Sequence, residues 1–134
     1  MEIPEKNLEI ATIEYVQPKI KKFSFTSEVL GVVLLNQILC FDNCFFVVIS
    51  QDKTFSCLSV AMTQRNSTDT ISSAIFSTDP DSRSESIANT LTKSLKTSTP
   101  IYVSFNANIE TIGLKDVVSS LINFFKSHSE IFVK

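Results

Sequence analysis

The apolar stretch at residues 32–62 constrains the fold most, because it holds three apolar runs separated by two short polar segments. Asp42 and Asn43 form the first segment, and both residue types tolerate the positive φ angles of a tight hairpin turn. Residues 50–54 form a longer polar connection. Runs rich in Val, Ile, Leu and Phe favour strands, so the stretch predicts a three-stranded antiparallel meander at the centre of the domain. Residues 44–49 are apolar at every position, which predicts that both faces of this strand are covered.

Three further strands are predicted outside this stretch. Residues 19–26 alternate so that Phe23 and Phe25 share one face, and the lysines at the start indicate an edge strand, since charges discourage unwanted edge pairing. Residues 71–76 form a weaker strand, which is followed by a polar, serine-rich loop at residues 77–86. Residues 101–106 alternate apolar and polar side chains, which is typical of a half-buried strand.

Two helices are predicted in the second half of the chain. Ser82 and Glu85 have the spacing of a capping box, and apolar residues follow at helical spacing, which predicts a helix over residues 83–97. After Gly113, apolar residues recur on one side of a second helix as far as Phe125. This apolar stripe is wide, so the second helix is expected to pack flat on the sheet.

The predicted order of elements indicates an α+β domain, with a mostly antiparallel sheet of about six strands and two amphipathic helices packed on it. A chain of 134 residues is expected to form one domain. We place that domain at residues 19–134. Residues 1–18 are interpreted as an N-terminal extension, either an extra strand or an arm.

Composition and charge exclude several classes of function. The formal charge of −2 argues against a nucleic-acid-binding protein, which normally has a basic excess. No apolar run approaches the roughly 20 residues that span a bilayer, and the N-terminus lacks the pattern of a signal peptide. We therefore expect a cytoplasmic protein, with the nucleus as a second location. Cys40, Cys44 and Cys57 are then expected to be reduced and buried.

The residues that could carry chemistry are few. His128 is the only histidine, so a serine hydrolase would have to recruit it; the simpler interpretation is an exposed histidine at a helix end. A zinc site would need His128 to converge with cysteines that are expected in core strands. With two isolated glycines, the chain has no phosphate-binding loop. The sequence therefore predicts no catalytic, metal or cofactor site.

Apolar residues are instead in excess. The chain has 11 phenylalanines, and both predicted helices have wide apolar stripes. Part of this surplus is expected to form the core. The rest favours an obligate partner, because obligate interfaces resemble a protein core cut in half.

An ordered set of segments resembles the proteasome assembly chaperone 4 family. No single motif is a catalytic signature, but the order and spacing fit from Lys19 to about Phe125. The segments are KKFSF at residues 21–25, LSVAMTQR at 58–65, TISSAIF at 70–76, IANTL at 87–91 and IYVSFN at 101–106.

The resemblance implies a non-catalytic assembly chaperone. Members of this family pair with a related small subunit, proteasome assembly chaperone 3. The heterodimer binds alpha-type proteasome subunits, notably the fifth, and promotes alpha-ring assembly before beta subunits replace it. For this chain, the predicted pairing interface is the sheet face that carries four side chains, namely Phe23, Phe25, Phe45 and Val47. The predicted contacts to the proteasome subunit lie in one loop, at Arg65, Asn66 and Asp69.

Two other interpretations stay open on the sequence alone. The first is a small longin- or roadblock-like adaptor subunit of a trafficking complex, which would have the same layout of sheet and helices without catalysis. The second is a small hydrolase that uses a serine and His128. The proteins that co-purify with the chain would identify an adaptor, and a His128→Ala variant would test the hydrolase.

Overall fold

The computed structural model describes residues 20–52, 55–64, 68–78 and 83–128. It contains one six-stranded sheet and two helices, which confirms the predicted α+β class. A short 3-10 turn, Thr111–Gly113, precedes the second helix. The strands are β1 (Lys21–Val29), β2 (Val32–Cys40), β3 (Phe45–Ser50), β4 (Cys57–Thr63), β5 (Thr70–Ser77) and β6 (Ile101–Asn106), and the helices are α1 (Arg83–Leu95) and α2 (Leu114–Ser127). The predicted extension at residues 1–18 lies outside the described residues.

The order of strands in the sheet is β1-β2-β3-β6-β4-β5. Every neighbouring pair is antiparallel except β3 and β6, which run parallel and pair along their whole length, from Phe45 with Ile101 to Ser50 with Asn106. The predicted meander of β2, β3 and β4 is therefore wrong, because β6 lies between β3 and β4. The meander that does form consists of β1, β2 and β3.

The side chain of Asn106 shows how the connection between β3 and β4 crosses the end of β6. Its Oδ1 accepts a hydrogen bond from the backbone N–H of Ser56 at 2.7 Å, and Gln51 N–H donates to the Asn106 carbonyl at 3.1 Å. Its Nδ2 donates to Ser104 Oγ at 2.8 Å. Both ends of the connection are thus tied to β6. Short apolar runs indicate strands but not which strand lies beside which, so this insertion was not predictable from periodicity.

The first two strands form a tight hairpin. Leu30 and Gly31 connect them with positive φ angles of 52° and 79°, as a two-residue type I′ turn requires. β1 is an edge strand, as predicted, and continues to Val29, beyond the predicted end at residue 26. The turn predicted at Asp42 and Asn43 connects β2 to β3 and is closed by a hydrogen bond from Phe41 N–H to the Cys44 carbonyl at 2.9 Å.

Both helices pack on the same face of the sheet. α1 lies over β4, β5 and β6, whereas α2 lies towards β1 and contacts α1. The core between the helices and the sheet includes an edge-to-face contact between Phe45 and Phe125, whose ring centroids are 5.7 Å apart. Strand residues facing this core alternate with residues that point away from both helices.

Buried polar contacts hold the start of α1 against β6. Ser84 Oγ accepts a hydrogen bond from Phe105 N–H at 3.0 Å and lies 2.7 Å from Cys57 Sγ. Arg83 donates to the Ile109 carbonyl at 2.6 Å, and its guanidinium lies over the Phe105 ring. The helix ends at Leu95, before the predicted end at residue 97.

The end of α1 follows from backbone geometry. Lys96 adopts a left-handed φ of 51°, a common way for a helix to end. Its N–H still donates to the Thr92 carbonyl at 3.1 Å, so the last turn remains closed.

Gly113 lies where the 3-10 turn meets the hairpin between β1 and β2. A Cβ atom added to it would lie 2.6 Å from Ile109 Cγ2 and 3.0 Å from Leu30 Cδ1. We expect Gly113→Ala to lower the free energy of unfolding by about 1–3 kcal/mol, the usual cost of overpacking, in a urea titration. The control Ile112→Ala, at a side chain that is 74% exposed, should change it by less than about 0.5 kcal/mol. Equal stability of Gly113→Ala and wild type would contradict this packing.

Candidate interaction surface

The sheet face opposite the helices carries an apolar surface that no described helix covers. Its side chains alternate along the strands with those of the core, and none of them belongs to the hydrophobic cluster beneath the helices. We call this surface the outer face; it comprises Val33, Leu35 and Leu39 of β2, Phe46 and Val48 of β3, Tyr102 of β6, Leu58, Val60 and Met62 of β4, and Ile71 and Phe76 of β5.

Aromatic rings form a row across the outer face. Phe46 stacks on Tyr102 of the neighbouring strand with ring centroids 5.8 Å apart, and on Phe55 at 6.3 Å. Phe55 in turn contacts Phe76 on the edge strand at 5.5 Å. Phe55 and Phe76 are 50% and 44% exposed, respectively. The row thus links β6 and β3 to β5, and its far end is open to solvent.

The outer face is polar along the whole of β1 and carries single polar side chains on the other strands, at Gln37, Ser104 and Ser73. On β1 the residues that point away from the helices are Lys22, Ser24, Thr26 and Glu28, and all four are exposed. The apolar part therefore extends over five neighbouring strands, in the order β2, β3, β6, β4 and β5. At the usual spacing between strands this is a width of about 20 Å. Apolar patches of several hundred Å² that are rimmed by polar residues mark interaction sites.

The strand β3 shows how the two faces differ. Its core-facing side chains Phe45, Val47 and Ile49 are at most 1% exposed, whereas Phe46 and Val48 are only half-buried. The prediction that both faces of this strand are covered is therefore wrong for the described part of the chain. Among the described residues, the helices cover one face of β3 only.

The structure places the four predicted pairing residues on the helix-covered face. Phe45 and Val47 lie in the core, with exposures of 1% and 0%. Phe25 stacks on Phe124 of α2 with ring centroids 4.9 Å apart, and Phe23 meets the same ring edge-on at 5.5 Å. The structure therefore corrects the predicted pairing interface at Phe45 and Val47, because these two side chains have no free surface with which to contact a partner. β3 is apolar on both sides, so alternation alone could not tell which face the helices cover.

The predicted loop contacts are only partly visible. Arg65 and Asn66 lie outside the described residues. Asp69 is exposed just before β5, and its carbonyl accepts a hydrogen bond from Gln64 N–H at 2.8 Å, which closes the loop. Contact of these three residues with a proteasome subunit stays a prediction.

The histidine and the cysteines, which could in principle take part in catalysis or bind a metal, make contacts within the fold. His128 caps the end of α2, with its ring stacked 4.2 Å from the Phe124 ring and Nδ1 3.0 Å from the Phe124 carbonyl oxygen. The three cysteines are free thiols; Cys40 and Cys57 are buried and Cys44 is half-buried. Burial raises the pKa of the Cys40 thiol, although the charge of Lys21 acts in the opposite direction.

The described residues also lack two other kinds of feature. They contain no group of three or more His, Cys, Asp or Glu residues arranged to hold a metal ion. None of the helices described above is long and apolar enough to cross a membrane.

Two adjacent valines on β3 allow the assignment of the two faces to be tested. Val47 lies in the core and Val48 on the outer face. We expect Val47→Ala to lower the free energy of unfolding of the isolated chain by about 2 kcal/mol, because it leaves a cavity. Val48→Ala should cost less than about 1 kcal/mol, since water already reaches this side chain. Urea unfolding followed by circular dichroism measures both values, and an equal or reversed order would contradict the assignment.

Comparisons with known proteins give a similar fold and a family match. No curated protein sequence matches the chain significantly. The fold is similar to that of a chain in the crystal structure of a novel chaperone complex for yeast 20S proteasome assembly, with a TM-score of 0.60 and 13% sequence identity. The match covers 81% of this chain and 96% of the other chain. At this identity the likeness shows the fold.

The sequence itself provides the assignment to a family. The family model described as proteasome assembly chaperone 4 matches residues 33–107, which is more than half of the chain. These residues run from β2 to just beyond β6 and include every residue of the outer face. The protein is therefore a member of the proteasome assembly chaperone 4 family.

Proposed function

We propose that this protein is a non-catalytic chaperone of proteasome assembly. In this proposal it forms a heterodimer with a related small subunit similar to proteasome assembly chaperone 3. The heterodimer binds alpha-type proteasome subunits, among them the fifth, in the cytoplasm and promotes assembly of the alpha ring. The observation that carries the proposal is the open, apolar outer face on a chain that belongs to this family.

The outer face is suited to pairing with a second sheet. Two sheets that pack face to face lie about 10 Å apart and bury the side chains between them. A partner with the same fold would present a similar apolar face, and the stacked rings of Phe46 and Tyr102 would lie near the centre of the contact. Aromatic side chains at the buried centre of an interface contribute much of the binding energy.

The surroundings of the polar side chains support a role without catalysis. Ser84 at the start of α1 and Cys57 at the start of β4 are buried and hydrogen-bonded, and together they hold the helix on β6. His128 closes the end of α2 and stacks on a phenylalanine. Each of these side chains therefore stabilises the fold through its contacts. A binding role requires only a shaped apolar surface, which the chain has.

An assembly chaperone must also release the subunits that it binds. Pairing within the chaperone has to persist, whereas contact with an alpha-type subunit has to yield when later subunits arrive. We therefore propose that the large apolar outer face serves the pairing. A smaller surface of moderate affinity serves the proteasome subunit, because transient complexes typically have small interfaces.

A charge at the centre of the outer face tests the proposal. The tagged chain is captured from cells after mild lysis, and the proteins that come with it are identified by mass spectrometry. We expect wild type to recover a related small subunit and free alpha-type proteasome subunits. Phe46→Asp should lose the small subunit, because a carboxylate would be buried without a partner.

The matched control is Thr26→Asp, which adds the same charge at the polar margin of the same face. It should recover the same proteins as wild type. Thermal unfolding of both purified variants shows whether the isolated chain remains folded. Retention of the small subunit by a folded Phe46→Asp variant would contradict pairing through the outer face. Recovery of vesicle-coat subunits by wild type, without proteasome subunits, would refute the chaperone function.

A further inference from the structure

The two edges of the sheet differ in how they are protected. β1 forms one edge and carries Lys21, Lys22 and Glu28, and such charges hinder the addition of a further strand. β5 forms the other edge with the sequence TISSAIFS, which contains no charged residue and no proline. β5 pairs with β4 on one side, and no described strand pairs with it on the other.

Exposed apolar side chains concentrate at the β5 edge. Ile71, Ile75 and Phe76 of this strand are 46%, 52% and 44% exposed. Met62 of the adjacent strand β4 and Phe55 of the connection between β3 and β4 are also exposed. Five of the nine large exposed apolar side chains in the described residues therefore lie at this end of the sheet. An uncharged edge with apolar side chains is a template for another strand.

The regular part of the edge is the first half of β5. From Thr70 to Ala74 the strand pairs with β4 without interruption, from Thr63 to Ser59. Ile75 is then an extra residue, because Leu58 pairs with Phe76 and Ser59 with Ala74. Such a bulge bends a strand and ends regular pairing. The five residues 70–74 thus form the segment that a new strand could follow, over about 16 Å.

We infer that residues 70–74 bind an extended segment of the alpha-type proteasome subunit as a seventh strand of the sheet. The new strand would hydrogen-bond to the open edge of β5 and place an apolar side chain beside Ile71. This inference rests on the proposed function and identifies where the heterodimer contacts its proteasome subunit.

The geometry of pairing leaves the β5 edge free for a third chain, and in the proposed function the third chain is the proteasome subunit. A sheet packed on the outer face lies above the strands, whereas the backbone groups of an edge point sideways in the plane of the sheet. Pairing through the outer face therefore leaves the N–H and C=O groups at the β5 edge unoccupied. A third chain can use them while the heterodimer stays intact. Backbone hydrogen bonds over five residues form a small contact, suited to later release.

Amide hydrogen exchange measures strand addition without altering the chain. This chain is purified as a heterodimer with the small subunit. Amide exchange is then recorded for the heterodimer alone and for the heterodimer mixed with each purified alpha-type subunit. We expect the amides of residues 70–74 that point away from β4 to exchange rapidly in the heterodimer. They should become protected when the alpha-type subunit that binds is added. The inference would be overturned if these amides were already protected in the heterodimer alone. It would also be overturned if they stayed unprotected in the complex with the alpha-type subunit.

A lysine at the edge gives a second measurement. Ala74 is exposed and, through its pairing with Ser59, belongs to the helix side and not to the outer face. We expect Ala74→Lys to keep the small subunit and to weaken binding of the alpha-type subunit by about tenfold or more, because an edge lysine disfavours strand addition. The matched control is Ser24→Lys at the opposite edge, which should bind like wild type.

The outcomes separate the inference from the proposed function. If wild type binds no alpha-type subunit, the proposed function fails, and the inference fails with it. If wild type binds one and Ala74→Lys binds it equally well, only the edge inference fails. Association of heterodimers with one another through β5, detected by size-exclusion chromatography and lost in Ala74→Lys, would mean that the edge takes a second copy and would also overturn it.

Discussion

The parallel pairing of β3 with β6 is the interaction on which the rest of the structure depends. It joins the meander of the first three strands to the hairpin of β4 and β5, which otherwise share no strand. Six residue pairs connect β3 to β6, whereas three connect β6 to β4. Asn106 at the end of β6 ties down the connection that crosses it. Without β6, the sheet would separate into two antiparallel parts.

The position of β6 also determines where the helices lie. α1 leads into β6 and α2 follows it, so both helices are close to the strand that they flank in sequence. Ser84 fixes the start of α1 to Phe105 of β6, and Phe125 of α2 packs on Phe45 of β3. Both helices therefore cover one face of the sheet. With no third helix among the described residues, the opposite face stays open.

An open apolar face and an uncharged edge have opposite consequences for a chain on its own and for a chain in a complex. Alone, they expose Phe55, Phe76 and Ile71 to water, which favours non-specific association. In a complex, they provide two surfaces oriented at right angles, one above the sheet and one beside it. A protein that must hold one partner firmly and another temporarily can use these two surfaces separately.

The sequence alone determined the fold class and most of the elements. Apolar runs, turn residues and helical spacing placed six strands and two helices close to their observed positions, since local periodicity reports local structure. An ordered set of segments also indicated the family, which the match over residues 33–107 confirms. The turn at Asp42 and Asn43 was predictable because its residue types tolerate turn conformations.

Only the tertiary structure decided which strand lies beside which and which face the helices cover. β3 is apolar on both sides, so Phe45 and Phe46 look equivalent in the sequence, although one is 1% exposed and the other faces outward. The difference arises because Phe125 packs against Phe45, a contact between residues 80 positions apart. Strand order likewise depends on the pairing of β6 with β3, for example of Ile101 with Phe45, which is 56 positions earlier in the chain. Such long-range contacts leave no local pattern, and they alone determine which apolar residues form the core and which form the candidate interface.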